Sequence, residues 1–231
     1  MHASTYRSLA ERLAEGAFQP PPGIHDLQTF RAWLHSDEFP EFIRASHIAG
    51  EIEVEMSPEE QETHGKLKVE LIVRLGVLIQ ERNLGHLFAD RMTLVCTEAD
   101  LTTEPDVMFC SWEARRSGRV RAAEWVEGSG RLVELIGAPD MIAEIVSRSS
   151  VRKDNKQLRE AYFSAGVPEY WLIDARGEQI DFRLLVRGED DYQPVEPDAD
   201  GYLRSPVFGA SFLLTRRLDP LGEFDYRLLQ R

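Results

Sequence analysis

The chain has 231 residues, 42% of them hydrophobic and 29% charged, with a formal net charge of −13. That is an ordinary globular composition, long enough for one domain with a proper core, and no apolar run has the length of a bilayer span. Two cysteines, Cys96 and Cys110, exclude a disulfide framework and a sulfur-ligated metal cluster, and the polar start Met1-His2-Ala3-Ser4 lacks a signal-peptide core, so a cytoplasmic location is expected.

Residues 4–15 have the pattern of a short amphipathic helix, and Pro20-Pro21-Pro22-Gly23 reads as a rigid linker after it. Asp26 caps a second predicted helix through Phe30, Trp33 and Leu34. Residues 41–56 are predicted as a small antiparallel segment, because Glu51-Ile52-Glu53-Val54-Glu55-Met56 alternates charge and apolar side chains strictly. Ser57-Pro58-Glu59-Glu60 then reads as a helix start, with Ser57 as the cap and Glu60 completing a capping box. Leu67, Leu71, Leu75 and Leu78 recur at helical spacing, so the longest helix is expected here, ending near Asn83 and Gly85. Strands are predicted at 87–95, 106–110, 141–146, 170–174 and 180–185. Between the third and fourth lies a helix with Asp154 near its start, Leu158, Ala161, Tyr162 and Ala165 on its apolar face, and Gly166 as its stop. A strand–helix–strand unit implies parallel pairing of its two strands. Residues 113–131 read as an insertion or mobile loop, and the tail from Val207 to Arg231 as an edge strand with a closing helix.

Two carboxylates stand out chemically. Asp106 follows Pro105 at the head of Val107-Met108-Phe109, and Glu144 sits inside Met141-Ile142-Ala143-Glu144-Ile145-Val146, each tied to an apolar run of strand length. Burying a carboxylate is costly without a compensating partner, and two on neighbouring strands repel. A divalent cation relieves both costs, and carboxylate oxygens are what Mg²⁺ prefers. The acidic net charge argues against strong passive binding to nucleic acid, since neutralising phosphates drives such affinity. Local basic stretches nevertheless exist: Arg115, Arg116, Arg119 and Arg121, and, beside the acidic pair, Arg148, Arg152, Lys153 and Lys156.

Pro105-Asp106-Val107, Glu144-Ile145-Val146 and the run Ala165-Gly166-Val167-Pro168-Glu169-Tyr170-Trp171-Leu172-Ile173-Asp174, together with Gly50-Glu51 and Met56-Ser57-Pro58 ahead of His64, occur in an order and spacing that resembles the Uma2 family of restriction-endonuclease-like proteins. That family lies within the PD-(D/E)XK nuclease superfamily, and the resemblance runs from about Gly50 to Phe212. It implies an α/β fold whose mixed central sheet is flanked by helices, with an N-terminal helical extension over 1–40 and the nuclease domain over 41–231. It further implies hydrolysis of DNA phosphodiester bonds with Mg²⁺, or Mn²⁺ in its place, held by Asp106, Glu144 and the backbone carbonyl of Ile145. A homodimer is left open.

The resemblance departs from its pattern at the lysine. The slot two residues after the glutamate holds Val146, and the family's alternative slot, eight residues before Gly166, holds Leu158. Lys153, nearer the helix start and the end of the Glu144 strand, is the favoured catalytic candidate, and Lys156 is an accessory one. Glu51 reads either as a metal contact or as an exposed strand charge, and His64 either as a phosphate contact or as a structural side chain. Two rival readings stand beside the nuclease: a catalytically inactive member acting as a nucleic-acid-binding or protein-interaction module, and a hydrolase for another phosphoester.

Overall fold

The computed structural model describes residues 20–40, 43–55 and 59–231. The helix expected over 4–15 and the cap expected at Ser57 and Pro58 lie outside the described residues. The first described helix, α1 (Leu27–Leu34), is capped by Asp26 in a full capping box with Thr29 and buries Phe30 and Trp33, as the sequence predicts. Strands β1 (Arg44–Ile48) and β2 (Glu51–Glu55) form the expected antiparallel hairpin.

The longest helix starts later than predicted. A π-helical turn over Gln61–Gly65 leads into α2 (Lys66–Glu81), and Glu60 is itself the cap, accepting from the amides of Glu62 and Thr63. Its four leucines are buried as their spacing requires. The single strand expected at 87–95 is two, β3 (Gly85–Ala89) and β4 (Thr93–Cys96), because Asp90 and Arg91 both take left-handed backbone (φ 34° and 56°) and turn the chain. Strands β5 (Leu101–Thr103) and β6 (Val107–Ser111) follow.

The region read as a loop is a loop only in part: it holds α3 (Trp112–Arg116), capped by the Ser111 hydroxyl, and β7 (Val120–Glu124), and the turn over 125–131 joins β7 to its partner β8 (Leu132–Gly137). Strand β9 (Met141–Ile145) runs parallel to β10 (Glu169–Asp174). Between them lie a π-helical turn over Lys153–Gln157 and α4 (Leu158–Ala165), which ends at Gly166 in left-handed backbone. Strands β11 (Asp181–Arg187) and β12 (Tyr192–Pro194) extend that sheet. The tail holds no closing helix: β13 (Leu203–Ser205), β14 (Ala210–Leu218) and β15 (Phe224–Gln230) form a separate antiparallel sheet. Phe212 and Leu214, and on the neighbouring strand Tyr226 and Leu228, are buried at a period of two, which suits a strand face and not a helix.

The fold is mixed α/β. One six-stranded sheet has the order β2-β1-β5-β4-β8-β7, and the central one the order β12-β11-β10-β9-β6-β3. Alternation sorts the central strands onto two cores. Val107, Phe109, Met141, Ala143, Ile145 and Trp171 pack with the α2 leucines and the C-terminal sheet. Met108, Cys110, Ile142, Tyr170 and Leu172 pack with α4 and with residues of the other six-stranded sheet. Two of the chain's passages between the two six-stranded sheets are the short links Glu104-Pro105-Asp106 and Ala138-Pro139-Asp140. No described helix is long and apolar enough to cross a membrane.

Candidate active site

Strands β6 and β9 are antiparallel neighbours over a short ladder, with Val107 opposite Ala143 and Phe109 opposite Met141. Asp106, one residue ahead of β6, therefore comes beside the Glu144 end of β9. Contacts run both ways between the two segments: the Asp106 amide donates to Glu144 Oε2 at 3.3 Å, and the Ile145 amide donates to Asp106 Oδ2 at 2.9 Å. Their exposures, 6% and 4%, make both carboxylates interior groups. At the other end of the ladder, Asp140 accepts from the Ser111 amide at 2.6 Å and from the Arg119 guanidinium, while its own amide donates to Phe109 O.

The two acids live in opposite electrostatic surroundings. Asp106 Oδ1 lies 2.9 Å from the Lys68 ammonium and Oδ2 lies 3.2 Å from His64 Nε2. Burial pushes its carboxyl up, but the hydrogen bond and charge of His64, the charge of Lys68 and the Ile145 amide outweigh that and hold it well below the usual range. Glu144 accepts from the Tyr162 hydroxyl at 2.6 Å. Burial first, then the charges of Asp106 and Asp154, push its carboxyl well above the usual range, against the opposing pull of Lys153 and Tyr162.

His64 and Lys68 are four residues apart on one face of the helical segment. His64 Nδ1 reaches Glu59 Oε1 at 2.6 Å, so the ring bridges Glu59 and Asp106. Burial lowers the affinity of the ring for a proton, and the Asp106 contact more than restores it, leaving its pKa raised.

Lys153 comes from the turn before α4, and its ammonium lies 2.7 Å from Glu55 Oε1 and 3.9 Å from Asp154 Oδ1. Burial opposes its charge, and Glu55, Asp154 and Glu144 together overcome that, so its pKa is raised. Asp154 is buried and takes the Ser150 hydroxyl hydrogen; burial pushes its carboxyl up to about 7 against Lys153 and Ser150. Lys156 is exposed on the far side of this turn. Glu51 is also exposed, contacted by Gln157 Nε2 at 2.8 Å and Arg152 Nη2 at 3.4 Å.

Among sequence families, the profile described as "Putative restriction endonuclease", that of Uma2, matches residues 27–216. The chain belongs to the Uma2 family. A solved structure described as a "putative nuclease belonging to DUF820", from Anabaena variabilis ATCC 29413, superposes with a TM-score of 0.56 at 19% identity. The match covers 80% of this chain and 90% of that one, and at this identity it establishes the shared fold. No curated protein matches the sequence.

Of the signature segments of this Uma2 chain, Pro105-Asp106-Val107 and Glu144-Ile145-Val146 form the acidic pair, and the strand of the Ala165–Asp174 segment runs beside Glu144. Val146 and Leu158, at the two lysine slots, are both fully buried in the apolar core beside Tyr162. The sequence reading missed Lys68 and read Tyr162 as core packing alone. Lys68 had a signal: a cation one turn after His64, bordering a leucine stripe. Tyr162 had none, since a buried tyrosine on an apolar helix face reads the same with or without an acceptor. Glu59 and Asp90 were likewise invisible, because their role depends on where Lys68 lies.

As a donor set, Asp106 and Glu144 are hard oxygen ligands of the kind Mg²⁺ takes, one or two carboxylates with waters completing the shell. Among the described residues no third His, Cys, Asp or Glu joins them in a ready-made cluster. The chemistry of this pair fits Mg²⁺, and a cation there would offset the burial and the like charges that disfavour the ionised Glu144.

Proposed function

We propose that this Uma2 protein is a metal-dependent nuclease that hydrolyses phosphodiester bonds in DNA, with Asp106 and Glu144 at its centre. The observation that carries this reading is the pair itself: two buried carboxylates on adjacent strands, one held charged by a lysine and a histidine, the other left without enough positive charge. Mg²⁺, or Mn²⁺ in its place, would be held by Asp106, Glu144 and the Ile145 carbonyl, and when bound would supply a Lewis acid and an acidified water.

The chain's own residues set up the rest. His64 and the Ile145 amide orient Asp106 through Oδ2, and the Lys68 ammonium lies against Oδ1. Tyr162 fixes one oxygen of Glu144 by donating its hydroxyl hydrogen, which leaves the orientation of that carboxylate determined before any ligand arrives. Lys153 adds positive charge on the Glu144 side, where a phosphate would otherwise meet only carboxylates. The exposed Arg148 and Arg152 give a basic rim for the polyanion, with Glu51 beside Arg152 as an accessory acid.

A plasmid-cleavage assay with Mg²⁺ or Mn²⁺ tests the proposal. The wild type should nick or linearise DNA, and Asp106→Asn and Glu144→Gln should each lose at least about 10²-fold. Lys153→Ala should lose rate while Lys156→Ala serves as a control with the same charge change. A wild type inert on plasmid, RNA and nucleotides alike would sink the reading. A second reading, an inactive member that binds nucleic acid or protein, is favoured by the buried Val146 and Leu158 where a lysine is expected.

A further inference from the structure

The ammonium that touches the acidic pair comes from neither of the two lysine slots nor from the turn before α4. Lys153 directs its charge at Glu55, 2.7 Å away. Lys68, on the first turn of α2, instead lies 2.9 Å from Asp106 Oδ1, 2.8 Å from Glu59 Oε1 and 2.8 Å from Asp90 Oδ1. An ammonium has three N–H donors, and here three carboxylates stand around it, with a hydrogen bond to Asp90. The residue is 3% exposed, a degree of burial that lysine almost never reaches unpaired.

The geometry around it is also built with effort. Asp90 and Arg91 both hold left-handed backbone, φ 34° and 56°, and this turn is what delivers the Asp90 carboxylate. Non-glycine residues adopt that region rarely, and such strain concentrates at functional sites. His64 holds the other oxygen of Asp106 from the same helical face.

We propose that Lys68 supplies, from α2, the positive charge beside the acidic pair that Val146 and Leu158 cannot. This rests on the nuclease reading for its role in turnover, but its effect on a bound cation can be measured without any substrate. Lys68 as a mere fold support and Lys68 as the charge beside the cation make opposite predictions. Removing a supporting side chain loosens the carboxylates and weakens metal binding. Removing a neighbouring positive charge makes the pocket more negative and tightens it.

The test uses the full chain as wild type, Lys68→Met and Lys68→Arg, with native folding checked by circular dichroism. Mn²⁺ binding is followed by electron paramagnetic resonance, without nucleic acid. Lys68→Met should lower the Mn²⁺ dissociation constant by about tenfold or more, as expected for losing a like charge within a few ångströms, and Lys68→Arg should stay near wild type. On plasmid at saturating Mn²⁺, Lys68→Met should lower kcat by about 10²-fold with KM little changed, and Lys68→Arg should recover part of it. Should Lys68→Met fail to fold, Lys68→Gln carries the same expectations. Unchanged or weaker Mn²⁺ binding in the folded neutral variant overturns the proposal, as does a wild type that binds no Mn²⁺. A wild type that binds Mn²⁺ but cleaves nothing removes the nuclease reading alone, and the binding comparison still decides Lys68.

Discussion

Asp154 gives the sharpest quantitative handle on this interior. It is 2% exposed, its carboxylate takes the Ser150 hydroxyl hydrogen, and Lys153 lies 3.9 Å away. Burial dominates, so its pKa rises from 3.8 to about 7 in the fold, with Glu55 and Asp106 adding to the rise. The sign of the pH effect follows from proton counts. Above 3.8 the unfolded chain has released this proton while the folded protein keeps it, so stability falls as pH rises, and the loss is complete near pH 7. A gap of about three pH units at about 1.36 kcal/mol each is a loss of roughly 4 kcal/mol. Asp154→Asn, nearly isosteric, keeps an acceptor for Ser150 and cannot ionise. Urea unfolding of both proteins, with a chelator present, at intervals from pH 4 to pH 8 would trace the difference. The variant should gain on the wild type steadily up to about pH 7 and run parallel above it. Two profiles parallel across the whole range would refute the reasoning, since a neutral side chain would then behave as the native one does.

Three other outcomes follow from the contacts. Tyr162→Phe removes the hydroxyl that donates to Glu144 Oε1 and should cost about 1–3 kcal/mol by denaturant unfolding, with a weaker response to Mg²⁺. Mg²⁺ in ~100-fold excess over its dissociation constant should stabilise the wild type by roughly 2.7 kcal/mol in thermal unfolding, and Asp106→Asn should abolish most of that gain. Glu134→Ala strips the acceptor shared by Arg31 Nη2 at 2.6 Å and His35 Nε2 at 3.0 Å, and should lower stability by about 3–5 kcal/mol, most visibly as exposure of Trp33 fluorescence.

The elements legible in the sequence were those with a strong period or a strong stop. The α2 leucines, the Asp26 cap and Gly166 all announced themselves locally, and so did Asp106 and Glu144, whose charges interrupt or abut apolar runs. What stayed hidden depended on pairing or on unusual backbone. Two left-handed residues at 90 and 91 break what reads as one strand. The C-terminal hairpin alternates as a strand should, but Arg216-Arg217 and the Asp219-Pro220 turn blur the pattern. The charge cluster around Lys68 joins the 59–68 stretch to Asp90 and Asp106, so no local window could hold it.

The β6–β9 ladder has only three residue pairs between the sites at its two ends. So short a pairing has little hydrogen bonding of its own to forbid sliding, and a slide of one residue would carry every side chain of the strand to the opposite face. Asp140 latches the end remote from the acidic pair, through Ser111 and Arg119. The alignment of Asp106 with Glu144 is therefore held at both ends, by its own amide contacts at one and by Asp140 at the other, so Asp140 belongs to the site's tolerance to error although it takes no part in its chemistry.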